Sequence, residues 1–273
     1  MLQDLATTSP NFPCFLFVGP SGTSKTTFMT RFKFPGQLSA ILDADGNLAG
    51  PKLVAEKEKR DIGHVKFASI RFEDDGKTPV APLQQFVRLA TKLQWIKSQK
   101  LPDGRPLFGF VGVTSTTTLS DIFANEVRRQ MGKPVDYAFQ IQDWGKYAYL
   151  WNYFIMETLR GMPCTTALDA HQKVEKDQMD SVLRYVLNIP GNTAETMTAK
   201  MTDVFLAGVE QKLDGVSMRA VYTMTTIQSA RIPGMKTSLG LPAQFPANQE
   251  WADKIVAQIV GGQTSSVTPT LTK

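Results

Sequence analysis

The residues best suited to chemistry stand in the stretch Phe15-Leu16-Phe17-Val18-Gly19-Pro20-Ser21-Gly22-Thr23-Ser24-Lys25-Thr26-Thr27. An apolar run breaks into a Gly-rich turn, and a Lys-Thr pair follows. The spacing is that of a phosphate-binding loop, G-x-x-x-x-G-K-[ST], with Ser24 where the pattern has Gly. Gly19, Pro20, Ser21, Gly22, Thr23, Ser24, Lys25, Thr26 and Thr27 are therefore the candidate nucleotide-binding residues. Backbone N–H groups at a loop-to-helix junction point at an anion, and the helix dipole favours negative charge there. Lys25 is placed to reach the outer phosphates of ATP, and the Thr26 hydroxyl to ligate Mg²⁺. Gly19 and Gly22 permit close backbone approach, whereas a Cβ at Ser24 weakens or re-aims binding. An ordinary strand–turn–helix junction is the competing reading; the agreement of apolar strand, spacing and Lys-Thr pair favours the loop.

Bulk properties bound the rest. With 273 residues the chain can build one large α/β domain with a full core. A hydrophobic content of 42% with 20% charged residues places most of it among globular sequences. The net charge of +5 tilts only mildly toward anionic partners. Cys14 and Cys164 lie far apart in apolar surroundings, which suits buried free thiols in a reducing compartment. Two histidines make a His/Cys metal site improbable. Neither a signal pattern nor an apolar run of about 20 residues is present, so a soluble, cytoplasmic protein is expected.

Stepping outward from the loop, residues 1–11 read as a polar lead-in, 12–260 as one domain, and 261–273 as a disordered polar tail. Strands are predicted near 13–18, 39–42, 65–72, 108–113 and 164–170, with a closing hairpin of 204–209 and 220–226 around Asp214-Gly215. Helices are predicted near 25–33, 51–60, 82–97 and 250–260, the third with Leu83, Phe86, Val87, Ala90, Leu93 and Ile96 on its buried face. The second strand runs into Asp43-Ala44-Asp45-Gly46-Asn47, either a ligand-facing acid cluster or a plain turn. The aromatic stretch 139–161 is core or interface before it is a base-stacking platform. Lys173–Thr198 reads as a mobile linker. Strands alternating with helices, each strand ending in polar residues, argue a mostly parallel sheet covered on both faces, and with the loop after the first strand a P-loop NTPase domain.

On these motifs the chain resembles the RecA-like ATPases, and within them the phage-encoded Sak-type single-strand annealing or recombination ATPases. The match covers roughly residues 12–245: the phosphate loop, the strand ending Leu42-Asp43-Ala44-Asp45, the strand before Ser115-Thr116-Thr117-Thr118-Leu119-Ser120, and the strand ending His171-Gln172. The resemblance implies an ATPase using Mg²⁺, with Asp45 activating water, Asp43 near the metal, and His171 or Gln172 sensing the γ-phosphate. It implies that Arg231 or Lys236 reaches a neighbour's nucleotide in a homo-oligomeric ring or filament, and that single-stranded DNA is a partner; the stretch Trp144–Phe154 and the pair Arg128-Arg129 are the candidates for the contact surface and DNA groove. Thr114 stands where the family has the Asp that holds Mg²⁺ through water. It supplies no charge, so an acid placed there is expected to raise metal-dependent turnover. Two other classes compete with the ATPase: a nucleic-acid-binding module in which nucleotide is structural, and a scaffold that binds no nucleotide. The charge of +5 and the 173–198 linker allow the first, and Ser24 and Thr114 support the second.

Overall fold

The computed structural model describes residues 12–46, 49–176, 183–190, 193–214, 217–226 and 235–264. The lead-in, the tail beyond Thr264 and Arg231 lie outside the described residues. The chain is an α/β fold around a sheet of order β3-β2-β4-β5-β1-β7-β8-β9. Here β1 is Cys14–Gly19, β2 Leu38–Asp43, β3 Val65–Ser69, β4 Phe108–Val113, β5 Thr165–Lys176, β7 Asp203–Asp214, β8 Ser217–Thr225 and β9 Gln244–Pro246. Pairing is parallel from β3 through to β7, and antiparallel for β7–β8 and β8–β9.

The central strands are apolar on both sides, as strands covered on two faces must be. Alternation sends Leu16, Val18, Leu42, Val111, Val113 and Leu168 to one face. There they meet α3 (Gln85–Ser98), α4 (Thr116–Gln130) and α5 (Ile141–Tyr153). Phe15, Phe17, Ile41, Phe110 and Phe205 go to the other face, under α1 (Lys25–Met29) and α7 (Gln249–Thr264). That second core is largely aromatic, with Phe32 stacked on Phe110 at 4.8 Å and Phe17 on Phe205 at 5.3 Å. The sheet is thus covered on both faces along the length of β1.

Several expectations need correction. The segment read as a mobile linker contains ordered elements: β5 runs on through Gln172, pairs antiparallel with β6 (Leu183–Leu187), and leads to α6 (Thr193–Lys200). A short strand, β9, follows the closing hairpin, whose turn at Gly215 lies outside the described residues. Helix α7 extends to Thr264, into the stretch expected to be disordered. The buried face of α3 is Gln85, Leu89, Leu93 and Ile96, while Val87 and Ala90 are exposed. Hydrophobic residues on two adjacent stripes made that face ambiguous by about one position. Along α5 the aromatics divide: Tyr147 and Trp151 are core, whereas Tyr149 and Tyr153 face outward.

Candidate functional site

The loop between β1 and α1 owes its shape to packing beneath it and unusual backbone angles within it. A Cβ on Gly19 would stand 2.5 Å from the Ala207 carbonyl oxygen of β7, so only glycine fits. Gly22 turns the chain at φ 77° and Ser24 at φ 59°. The Thr23 hydroxyl donates to the Pro20 carbonyl at 2.8 Å and braces the turn. Ser24 therefore holds the left-handed conformation that glycine adopts without steric cost and other residues reach at roughly 1–2 kcal/mol. The pattern's missing glycine is a strained serine rather than a rebuilt loop.

Lys25 is buried, and its Nζ donates to the carbonyls of Gly19 at 2.9 Å and Pro20 at 2.7 Å. Burial lowers its pKa, and the nearby carboxylates Asp169 and Asp45 act against that. Helix α1 has only five residues, so the macrodipole anticipated from sequence contributes little here. Any anion affinity rests on Lys25 and the loop N–H groups.

Opposite the loop, the ends of β2 and β4 converge with the middle of β5. The Thr114 hydroxyl donates to Asp43 Oδ1 at 2.9 Å and accepts the Ala44 N–H at 3.2 Å. Asp43 Oδ1 also accepts the Asp45 N–H at 3.1 Å, while Asp43 Oδ2 is buried with no side-chain partner among the described residues. Asp45 accepts the Thr118 hydroxyl. Asp169, in the middle of β5, accepts the Thr26 hydroxyl at 2.7 Å on Oδ2 and the Ser115 N–H on Oδ1. Burial raises the pKa of both Asp43 and Asp169. Hydrogen bonds from Thr114 to Asp43, and from Thr26 and Ser115 to Asp169, pull the other way.

These groups line one cleft of about 310 Å³, which holds loop residues Ser21–Thr27 together with Asp43, Asp45, Thr114, Asp169 and His171. Pro51 and Val54 of α2 (Ala49–Lys57) and Tyr222 of β8 complete its walls. A larger cavity of about 960 Å³ lies between α3 and strands β2 and β3. The charges at its rim, Arg88 and Lys92, are paired with Glu73 and Asp74, and it lacks the loop and its acids. The chemistry belongs to the smaller cleft.

The other sequence candidates are dispersed. His171 pairs in register with Gly19 and reaches the cleft. Gln172 alternates to the opposite face and pairs with Leu187, its Oε1 buried without a partner among the described residues. Lys236 bridges to Val204 near the start of β7, with Nζ on the Ala199 carbonyl at 3.1 Å, at the end of the strands away from the loop. Arg128 donates to Asn125 and the Tyr137 carbonyl, and Arg129 pairs with Glu126, so the basic pair is engaged within the chain. Asp169 was missed. A single acid inside an apolar strand has no spacing motif, although a buried carboxylate always needs a partner, and that requirement was the available signal.

The donors fit a magnesium nucleotide: a hydroxyl, nearby carboxylates and one cation at a glycine-rich turn. Among the described residues no group of three or more His, Cys, Asp or Glu forms a metal cage. Mg²⁺ needs none, since it is held by one or two protein oxygens with phosphates and water. Among solved structures the chain is similar to the RadB recombinase, at 11% identity and a TM-score of 0.42, over 82% of this chain and 84% of that one. It is also similar to the flagellar accessory protein FlaH from Methanocaldococcus jannaschii, at 9% identity and a TM-score of 0.39, over 87% of this chain and 85% of that one. No protein-family model matches the sequence, and no curated protein does. Among the described residues no helix is long and apolar enough to cross a membrane.

Proposed function

We propose that this is a RecA-like ATP-binding protein of the phage recombination or annealing kind that its motifs resemble, hydrolysing ATP to ADP and phosphate with Mg²⁺. One observation carries the reading: Lys25 and Thr26, at the end of a glycine-rich turn, share a cleft with Asp43, Asp45, Asp169 and His171. Lys25 would exchange the two loop carbonyls for phosphate oxygens, trading neutral acceptors for charged ones. Mg²⁺ would neutralise developing charge on the phosphates. Asp45 is the carboxylate available to orient water, and His171 stands level with Gly19 to touch the terminal phosphate. Arg231 or Lys236 acting across a homo-oligomer interface, and single-stranded DNA as partner, complete the reading; the net charge of +5 is compatible with a DNA partner.

A second reading, binding with little turnover, is favoured by Thr114, which ends β4 as a neutral hydroxyl tied to Asp43. Calorimetry with ATP, with and without Mg²⁺, and phosphate release with and without single-stranded DNA separate the two. Lys25→Ala removes charge-assisted bonds worth about 1.5–3 kcal/mol, so affinity should fall at least about tenfold. Unchanged affinity in Lys25→Ala would remove the phosphate-loop assignment.

A further inference from the structure

A metal beside the Thr26 hydroxyl needs negative charge, and the end of β4 offers none because Thr114 stands there. Strand β5 runs between β1 and β4, with Asp169 in register with Phe17 and Leu168 with Val113. Asp169 therefore sits between the loop and the β4–α4 turn. Its two oxygens divide the work: Oδ2 takes the Thr26 hydroxyl at 2.7 Å and Oδ1 takes the Ser115 N–H. The residue is only 4% exposed yet lines the cleft. A carboxylate oxygen has two lone pairs, so each keeps acceptor capacity beyond these bonds.

Asp43, the other acid at a strand end, fits the role less well. It ends β2, across β4 from the loop, where its partners are Thr114 and the Asp45 N–H, and the bond to Thr26 belongs to Asp169. Thr114 both donates to Asp43 and accepts from Ala44, which explains why a hydroxyl is tolerated there: it joins β4 to β2. We propose that Asp169 of β5 is the acid that anchors Mg²⁺ beside Thr26, supplying from a neighbouring strand the charge that β4 lacks. This rests on the nucleotide reading above.

The test is ATP binding by the full chain, measured by calorimetry in Mg²⁺ and in EDTA, with folding checked by circular dichroism. Asp169→Asn should lose the tightening that Mg²⁺ gives, by about 10–100-fold, the usual cost of removing an outer partner of a bound metal. Affinity in EDTA should not fall, because Lys25 is kept and the change removes a negative charge facing it. Asp169→Cys should recover the metal-dependent tightening with Cd²⁺ and not with Mg²⁺, since a thiolate selects the softer ion. A folded Asp169→Asn protein that keeps its Mg²⁺ response overturns the assignment. If neither variant folds, Fe²⁺ in place of Mg²⁺ can cut the wild-type backbone near the metal in the presence of ATP and ascorbate. Cuts near 26 and 169 support the proposal, and cuts near 43 without 169 defeat it. Failure of wild type and Lys25→Ala alike to bind ATP would instead remove the nucleotide reading, and this assignment with it.

Discussion

Two strand-to-helix junctions face each other across β5, and they meet the same backbone demand with different chemistry. The β1–α1 junction sets Ser24 at φ 59° before Lys25; the β4–α4 junction sets Ser115 at φ 58° before Thr116. At the second, the turn is closed by its own groups. The Ser115 side chain accepts the Thr118 N–H, and its own N–H goes to Asp169. At the first, the Ser24 side chain makes no capping bond, and among the described residues Lys25 bonds only to loop carbonyls. A junction satisfied from within holds a shape. One left uncapped, with a cation turned on itself, can exchange those contacts for an anion. The acid between them, Asp169, touches both.

The largest expected break in this pairing comes from Thr114→Asp. From sequence, an acid there should raise metal-dependent turnover. The structure adds a cost in stability, because Thr114 is 3% exposed and is the donor to Asp43. The variant removes that donor and adds a like charge between Asp43 and Asp169. Stability should drop by about 1–3 kcal/mol, read as a lower urea midpoint. A variant as stable as wild type with faster Mg²⁺-dependent hydrolysis would return the metal seat to β4.

The parts of the molecule legible in the sequence are those whose signals are local. Strands β1 and β4 are uninterrupted apolar runs, and the loop declares itself by spacing. Lys25, Asp43, Asp45 and His171 were placed in one site and do share one cleft. What escaped depends on distant partners. The β5–β6 ribbon sets the mostly polar end of β5 against the mostly apolar β6, in a register that only the fold supplies. Asp169 and Thr26 are 143 residues apart in sequence, and neither announces the other.

The opposite ends of the same strands sharpen the contrast. Cys14 opens β1 and Cys164 precedes β5; both are free and buried. Burial pushes Cys14 up to about 11 and Cys164 up to about 12, from 9.0. Above pH 9 the unfolded thiols release protons that the native ones keep, so stability falls as pH rises toward 11. At pH 10 the loss is about 1.4 kcal/mol per thiol. The Cys14→Ala, Cys164→Ala double variant should show a flatter stability–pH curve over that range. An unchanged slope would mean that water reaches the amino ends of the strands.

The smallest effect is the most direct comparison of the junctions. Left-handed backbone costs a non-glycine residue about 1–2 kcal/mol, and glycine at such a site gives back part of that gain through its freer unfolded chain. Ser24→Gly should therefore raise stability by about 0.5–1 kcal/mol, since no bond from the Ser24 side chain caps α1. Ser115→Gly relieves the same angle but forfeits the cap on Thr118, so its gain should be smaller by roughly a few tenths of a kcal/mol. Urea midpoints of the two variants, measured side by side, carry the test. Equal gains would mean that the Ser115 cap contributes nothing. A loss at Ser24→Gly would mean that the serine hydroxyl has a partner in solution, and that the departure from the loop pattern is a working part of the site.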